Sequence, residues 1–255
     1  MTFDYWNTLC CEPPGGYLRG RRLEAMSQVL VDAGGGSAGV LPPGGHPQTP
    51  GWPVLEAGYD AACLGWNDAW RANRQLSGID AAHSICDAVE RAFPGASAVA
   101  GLRDRLLDAF AGQGEGADLM LIDGVGDTLA ALSERGIRLG IICDVGFTPS
   151  SVLLRHLERH GLLTYFDHWS FSDEVGVYKP DPRIFRHALA GLGGLEPRRC
   201  VHVGDRRRTD VAGAQALGMR AVRITSVFED EPDQGPSGDV VISSYKELLP
   251  ALGLA

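Results

Sequence analysis

Phe3-Asp4-Tyr5-Trp6-Asn7-Thr8-Leu9 sets a bare aspartate where an apolar stretch turns polar. An aspartate at the carboxyl end of a strand, followed by a turn, is where an open α/β sheet can place a nucleophile. The heptad alone carries little weight, because aspartates close many turns. Its counterpart lies far along the chain, in Val201-His202-Val203-Gly204-Asp205-Arg206-Arg207-Arg208-Thr209-Asp210. There a second apolar run ends on Gly-Asp, and another aspartate follows five residues later.

The sequence around this second stretch alternates helix and strand from about Asp123 onward. Val125 to Arg135 has helical apolar spacing closed by Gly136, and Ile137 to Cys143 is the mostly apolar run of a strand buried on both faces. Helices are expected over Pro149–His160, from Asp181-Pro182 to about Leu192, over Thr209–Leu217 and over Ser244–Leu252. Strands are expected over His168–Phe171, Cys200–Val203, Arg220–Ile224 and Asp239–Ile242. Such alternation predicts an α/β fold with a doubly wound parallel sheet. The first strand is short, with only Met1, Thr2 and Phe3 before Asp4; either the chain begins mid-strand or its true start lies upstream.

Between Cys11 and about Leu119 the pattern changes. Helical spacing recurs over Leu18–Val31, Val54–Leu76, Asp80–Ala92 and Ala98–Phe110, with no convincing strand. The expected organisation is a core of residues 1–11 and 120–255 with a helical domain inserted at 12–119. Within the insert, the Gly- and Pro-rich stretch 34–53 reads as a long loop. Trp52, Trp66 and Trp70 beside it are expected to pack in the core or line a pocket.

Composition narrows the partners. The net charge of −9 argues against a nucleic-acid binder, which needs a basic footprint, yet allows a small anionic substrate in a locally basic pocket. No apolar run approaches the ~20 residues that span a bilayer, and the N-terminal residues lack the basic and apolar regions of a signal peptide. The six cysteines form no CxxC pair and no metal-ligand spacing, so reduced thiols and a cytoplasmic location are expected. Of 23 basic residues only Lys179 and Lys246 are lysines. Lys246 reads as a surface charge. Lys179, in Gly176-Val177-Tyr178-Lys179-Pro180-Asp181-Pro182, marks a loop where a compact ammonium is wanted rather than a planar fork.

The carboxyl ends of parallel strands face a common crevice. Asp4, Cys143-Asp144, Lys179, and Asp205 with Asp210 all belong on that rim. Carboxylates gathered there repel unless a cation sits among them, and Mg2+ suits a site with few oxygen ligands and room for phosphate. A nearby lysine would balance the remaining charge.

In this ordered set the chain resembles the haloacid dehalogenase superfamily over essentially its whole length, including a helical cap inserted after the first motif. The resemblance makes Asp4 the nucleophile and Thr8 the residue closing its motif. Cys143 and Asp144 stand at the second motif, Lys179 at the third, and Asp205 with Asp210 at the fourth. It implies Mg2+ held by Asp4, Asp205, Asp210 and the backbone carbonyl of Trp6, and substrate contacts from Thr8, Cys143 and Lys179. A mobile cap would exclude water and choose the substrate.

Two residues depart from the family pattern. Phosphatases of the family carry an acid/base aspartate where Trp6 stands, a loss worth roughly 10²–10⁴-fold in rate unless Asp144 or a cap residue substitutes. Cys143 replaces a serine or threonine, and a thiol is a weaker donor; the alternatives are phosphate binding by neighbouring backbone N–H groups or a second nucleophile.

Three functional readings stay open. The first is a Mg2+-dependent phosphatase acting through an aspartyl-phosphate on a small phosphorylated metabolite. The second is a 2-haloacid dehalogenase-like hydrolase, since those members carry an aromatic residue at the position of Trp6 and their halide needs no proton. Arg19, Arg21 and Arg22 are then the candidates for the cap arginine. The third is a weak or inactive binding or regulatory protein. Phosphonate cleavage through a cap lysine is excluded, because the insert has no lysine. Arg206, Arg207 and Arg208 read as a solvated helix start or as a ring of charge for a phosphorylated substrate. The expected partner is a small anionic substrate, with no nucleic acid and no membrane; a homo-oligomer stays open.

Overall fold

The computed structural model describes residues 1–34 and 51–254, so most of the Gly/Pro stretch expected at 34–53 lies outside the described residues. The elements run in chain order: β1 (Thr2–Phe3), β2 (Cys10–Cys11), α1 (Tyr17–Gly34), α2 (Trp52–Arg71), α3 (Gly78–Ala92), α4 (Leu102–Gly112), β3 (Met120–Leu121), α5 (Val125–Glu134), β4 (Gly140–Cys143), α6 (Ser150–Arg159), β5 (His168–Phe171), α7 (Ser172–Val175), α8 (Pro182–Gly191), β6 (Val201–Gly204), α9 (Ala212–Ala216), β7 (Arg220–Ile224), β8 (Val240–Ile242) and α10 (Leu248–Leu252).

Two compact units emerge, one of residues 1–11, 119–145 and 150–255, the other of 12–118 and 146–149. The first is built on a six-stranded sheet in the order β5-β4-β1-β6-β7-β8. Every neighbouring pair in it is parallel, as the α/β alternation predicts. Parallel strands covered on both faces must be apolar throughout, and β4 is buried at all four positions. The central strand β1 is only two residues long, yet it pairs with β4 on one side and β6 on the other. The ladder carries on past its ends, where Gly140 N donates to Met1 O at 2.9 Å and Asp4 N to Val203 O at 2.8 Å.

Helix α8 begins as its sequence specifies. The Asp181 carboxylate accepts from Arg183 N at 2.8 Å, with Pro182 in the first turn, a cap worth about 1 kcal/mol. Its buried face, Ile184, Phe185, Ala188 and Leu189, joins Ile142, Val211 and Ala214 in one cluster. Burying each large side chain there stabilises by about 1.5–3 kcal/mol. A small antiparallel pair, β2 with β3, lies where no strand was expected. Its two-residue segments carry no readable period, and only long-range pairing reveals them.

The second unit packs α1 to α4 around Leu30, Leu55, Tyr59, Ile85, Val89 and Phe110. Helices α2 and α3 approach so closely at Gly58 that a Cβ there would lie 2.8 Å from Ile85 Cα. Gly146–Pro149, placed in the core by their position in sequence, join these helices instead, with Phe147 against Tyr59, Trp66 and Phe110. Trp66 and Trp70 stack at 5.8 Å. Among the described residues no helix is long and apolar enough to cross a membrane.

Candidate active site

The carboxyl ends of β1 and β6 lie side by side, and Asp4 and Asp205 are the next residues of each chain segment. Asp210 reaches the same place by a different route. Arg207–Val211 form a π-helical turn, a wider winding often found at functional sites. That turn brings the Asp210 carboxylate back over Gly204, where an added Cβ would stand 2.3 Å from Asp210 Cγ. Only glycine fits there, which accounts for the Gly-Asp pair in the sequence. Oxygen atoms of Asp4, Asp205 and Asp210 lie within 4.8 Å of one another, all three residues buried.

Lys179 supplies the cation. Its Nζ donates to Asp4 Oδ1 at 2.5 Å, to Asp210 Oδ1 at 2.6 Å and to the Ile142 carbonyl at 3.0 Å. The ammonium is 2% exposed. Burial works against its charge, but Asp210 and Asp4 outweigh it and hold the pKa well above the lysine range. Asp144 braces the lysine from its backbone, its Oδ1 accepting from Lys179 N at 2.7 Å.

The three carboxylates are not equivalent. Burial opposes the charge of Asp210, but Lys179 and His202 prevail and depress its pKa below the ordinary range. Its Oδ1 accepts from Lys179 and from His202 Nε2 at 3.1 Å, and its Oδ2 from Arg206 N at 2.9 Å. Asp205 is pushed up to about 7 by burial and by the charge of Asp210. Asp4 is raised by burial and by both aspartates, against the pull of Lys179. Asp205 Oδ2 accepts from Asn7 Nδ2 at 3.1 Å. Among the described residues nothing donates to Asp4 Oδ2, to Asp205 Oδ1 or to the Trp6 carbonyl. Two carboxylate oxygens and one carbonyl oxygen are thus unclaimed around a charge-poor, buried cluster. An all-oxygen set of this kind fits a hard cation such as Mg2+.

The remaining expected residues take quieter places. Cys143 is fully buried, its thiol donating to Asp144 O at 3.5 Å. Burial, then the charge of Asp4, pushes the thiol well above its usual pKa, which disfavours a thiolate nucleophile. Thr8 is buried, its carbonyl accepting from Tyr245 OH at 2.8 Å and its hydroxyl lacking a described partner. Trp6 is half-buried and meets the Tyr5 ring edge-on at 5.2 Å. All six cysteines are free thiols.

The arginine triplet divides. Arg207 is buried rather than solvated: its Nη1 donates to Ser237 Oγ at 3.1 Å, and its backbone N to Asp230 Oδ2 at 2.7 Å. Arg206 is partly exposed, lies 3.7 Å over the Phe228 ring and pairs with Asp230 at 3.2 Å. Both pin the stretch after β7 beside the cluster.

Asn7 and His202 escape a sequence reading. Asn7 has φ +56°, a left-handed conformation that asparagine tolerates, and the turn hands its amide to Asp205. His202 sits inside a strand with apolar neighbours, and that mismatch was its one available signal.

In the helical unit, the three arginines of α1 differ sharply. Arg19 pairs with Glu56 at 3.2 Å and Asp60 at 3.0 Å, and Arg21 lies over Tyr17 at 5.6 Å. Arg22 is 2% exposed and has no carboxylate partner among the described residues. Its Nη2 donates to Thr148 Oγ1 at 2.9 Å and its Nη1 to Tyr59 OH at 3.5 Å; Nε has no acceptor. The Phe110 and Phe147 rings flank it at 5.0 and 5.8 Å.

Known proteins resemble the chain to differing extents. The chain is 35% identical to human haloacid dehalogenase-like hydrolase domain-containing protein 3 over 135 residues, 52% of this chain and 51% of that protein. It is 40% identical to the glyceraldehyde 3-phosphate phosphatase of Methanothermobacter thermautotrophicus over 129 residues, 48% of this chain and 55% of that one. It thus spans about half the length of these curated relatives. The fold is shared with a HAD phosphatase from Thermococcus onnurineus, with a TM-score of 0.62 and 24% identity over 99% of this chain and 96% of that one. The family model for haloacid dehalogenase-like hydrolases matches residues 46–218, more than half of the 255. With the α/β sheet and its cluster of acids in place, the chain belongs to the haloacid dehalogenase-like hydrolases.

Proposed function

We propose that the protein is a Mg2+-dependent phosphatase acting on a small phosphorylated metabolite, with Asp4 as the nucleophile. One observation carries the reading: Lys179 grips Asp4 Oδ1, while Asp4 Oδ2 has no donor among the described residues. A carboxylate fixed at one oxygen keeps the other oriented and free to attack. Asp4 Oδ2 would bond to phosphorus as the ester P–O bond breaks. Water would then attack the aspartyl-phosphate, releasing inorganic phosphate and restoring Asp4.

Asp205 and the Trp6 carbonyl would hold Mg2+, with Asp4 sharing the ion through Oδ1 so that Oδ2 stays the nucleophile, and with Asp210 supporting the set from its Lys179 and Arg206 contacts. When bound, the ion supplies positive charge against the oxygens of the transferring phosphoryl group. Lys179 adds a second, permanent cation. Cys143 is assigned a packing role, and the phosphate oxygens are left to backbone N–H groups beyond β4 and to Lys179. Substrate choice is assigned to the helical unit.

Trp6 limits the chemistry. It has no proton to give the leaving oxygen, and Asp144 already braces Lys179. Acyl and aryl phosphates, whose leaving groups need little protonation, are therefore the favoured substrates over alkyl esters. The phosphatases among the relatives support a phosphorylated metabolite as the substrate class. The test is acid-quenched turnover of acetyl phosphate with Mg2+, followed by mass analysis of the Asp4 peptide. Phosphate on Asp4, absent when EDTA replaces Mg2+, is the expected result; phosphate release with no adduct on Asp4 rejects the mechanism.

A second reading, a 2-haloacid dehalogenase-like hydrolase, rests on Trp6: an aromatic residue stands where an acid/base would, and halide departs from Asp4 attack without needing a proton. Chloride release from 2-chloropropionate without metal would favour it.

A further inference from the structure

We propose that His202 is a positioning residue: it fixes the Asp210 carboxylate that aims Lys179 at Asp4, and Thr2 fixes its tautomer. The inference rests on the phosphatase reading for its kinetic arm only.

His202 is fully buried in β6, its ring edge-on to Phe185 at 5.3 Å. A buried imidazole inside an apolar sheet must have partners for both nitrogens. Nε2 lies 3.1 Å from Asp210 Oδ1. An ionised carboxylate can only accept, so Nε2 carries the proton. In the neutral ring Nδ1 is then an acceptor, and the Thr2 hydroxyl lies 2.9 Å from it. The Val201 carbonyl is a longer alternative for that hydroxyl, at 3.4 Å. One directed chain results: Thr2 Oγ1–H to His202, His202 Nε2–H to Asp210, and Lys179 between Asp210 and Asp4.

The chain matters because Asp210 Oδ1 serves two donors at once. Without His202 its carboxylate can turn about the bond to Arg206 N, and the ammonium loses one side of its seat. Asp4 would then keep its charge partner but lose its orientation. Second-layer partners of this kind typically cost 10–100-fold in activity when removed. The two strands that supply them, β1 and β6, are hydrogen-bonded neighbours, so the sheet itself sets the Thr2–His202 register.

The experiment compares His202→Leu, His202→Gln and Thr2→Val in the full chain with acetyl phosphate and Mg2+, with thermal melts to show that each is folded. Glutamine keeps an N–H of similar reach. His202→Leu should lower kcat roughly 10–100-fold with KM within about twofold, and His202→Gln should recover most of it. A folded His202→Leu enzyme with wild-type kcat, or His202→Gln no better than His202→Leu, overturns the assignment. Thr2→Val covers the case in which His202→Leu does not fold, and should lower kcat alone by a smaller factor; unchanged kcat counts against the role of Thr2. The 15N spectrum of the wild-type imidazole, which needs no turnover, should show Nε2 protonated and Nδ1 bare. If no phosphorylated compound is turned over, the phosphatase reading falls, and this spectrum decides the hydrogen-bond chain: a protonated Nδ1 rejects it.

Discussion

The two units each bury a cation, and they treat it in opposite ways. Lys179 in the sheet unit is held by two carboxylates and a carbonyl. Arg22 in the helical unit has two hydroxyls, two aromatic faces and an orphaned Nε. Removing one partner of a buried ion pair strands the other charge, whereas removing a buried charge that has no counter-charge strands none. Lys179 is therefore locked among counter-charges, whereas Arg22 is held only by neutral groups.

The largest expected effect is at Asp4, the proposed nucleophile. Asp4→Asn should abolish both turnover and the Asp4 adduct in the quenched-flow assay, because the amide cannot attack; retained activity would reject Asp4 under either reading. Lys179→Met should strand Asp4 and Asp210 without a cation, costing about 3–5 kcal/mol in urea unfolding as well as the activity. Arg22→Met should cost clearly less in the same unfolding assay than Lys179→Met, because it strands no counter-charge. Equal destabilisation by the two methionine variants would dissolve the comparison.

Trp6→Asp should accelerate alkyl phosphate hydrolysis by roughly 10²-fold or more, by restoring a proton donor, with little gain on acetyl phosphate. The smallest effect is on pH. Asp205, raised from the ordinary carboxylate range to about 7, binds a proton more tightly folded than unfolded. Its contribution to metal-free stability is thus present at acid pH and lost as pH rises through about 7. Asp4 acts in the same direction and Asp210 in the opposite one, the latter at lower pH. Mg2+ competes with the Asp205 proton, so it should raise the melting temperature more at pH 8 than at pH 6. An equal rise at both would remove Asp205 from the metal site.

How much was legible follows the same divide. Asp4 and Asp205 could be read because strand and turn signals put each at a strand end, and Lys179 and Asp210 because they stand on a loop and a helix start at the same rim of the parallel sheet. Nothing comparable exposes Arg22. Its burial depends on Tyr59, Phe110 and the segment Phe147–Thr148 meeting from distant parts of the chain, and Gly146–Pro149 carry no periodic pattern to assign them to the helices. The π-helical turn at Arg207–Val211 was hidden for a related reason: its sequence reads as an ordinary helix start, and the Asp210 contacts at Gly204 set its winding. The same holds for Arg207, whose burial depends on Asp230 and Ser237.

Trp6 has one more consequence. An indole two residues from the nucleophile, half-buried and edge-on to Tyr5, is an optical probe built into the site. Its emission should respond to the charge and hydration near the carboxyl end of β1, so ion binding and phosphorylation of Asp4 should be observable in real time without a label. A Trp6→Phe protein supplies the baseline from the other four tryptophans.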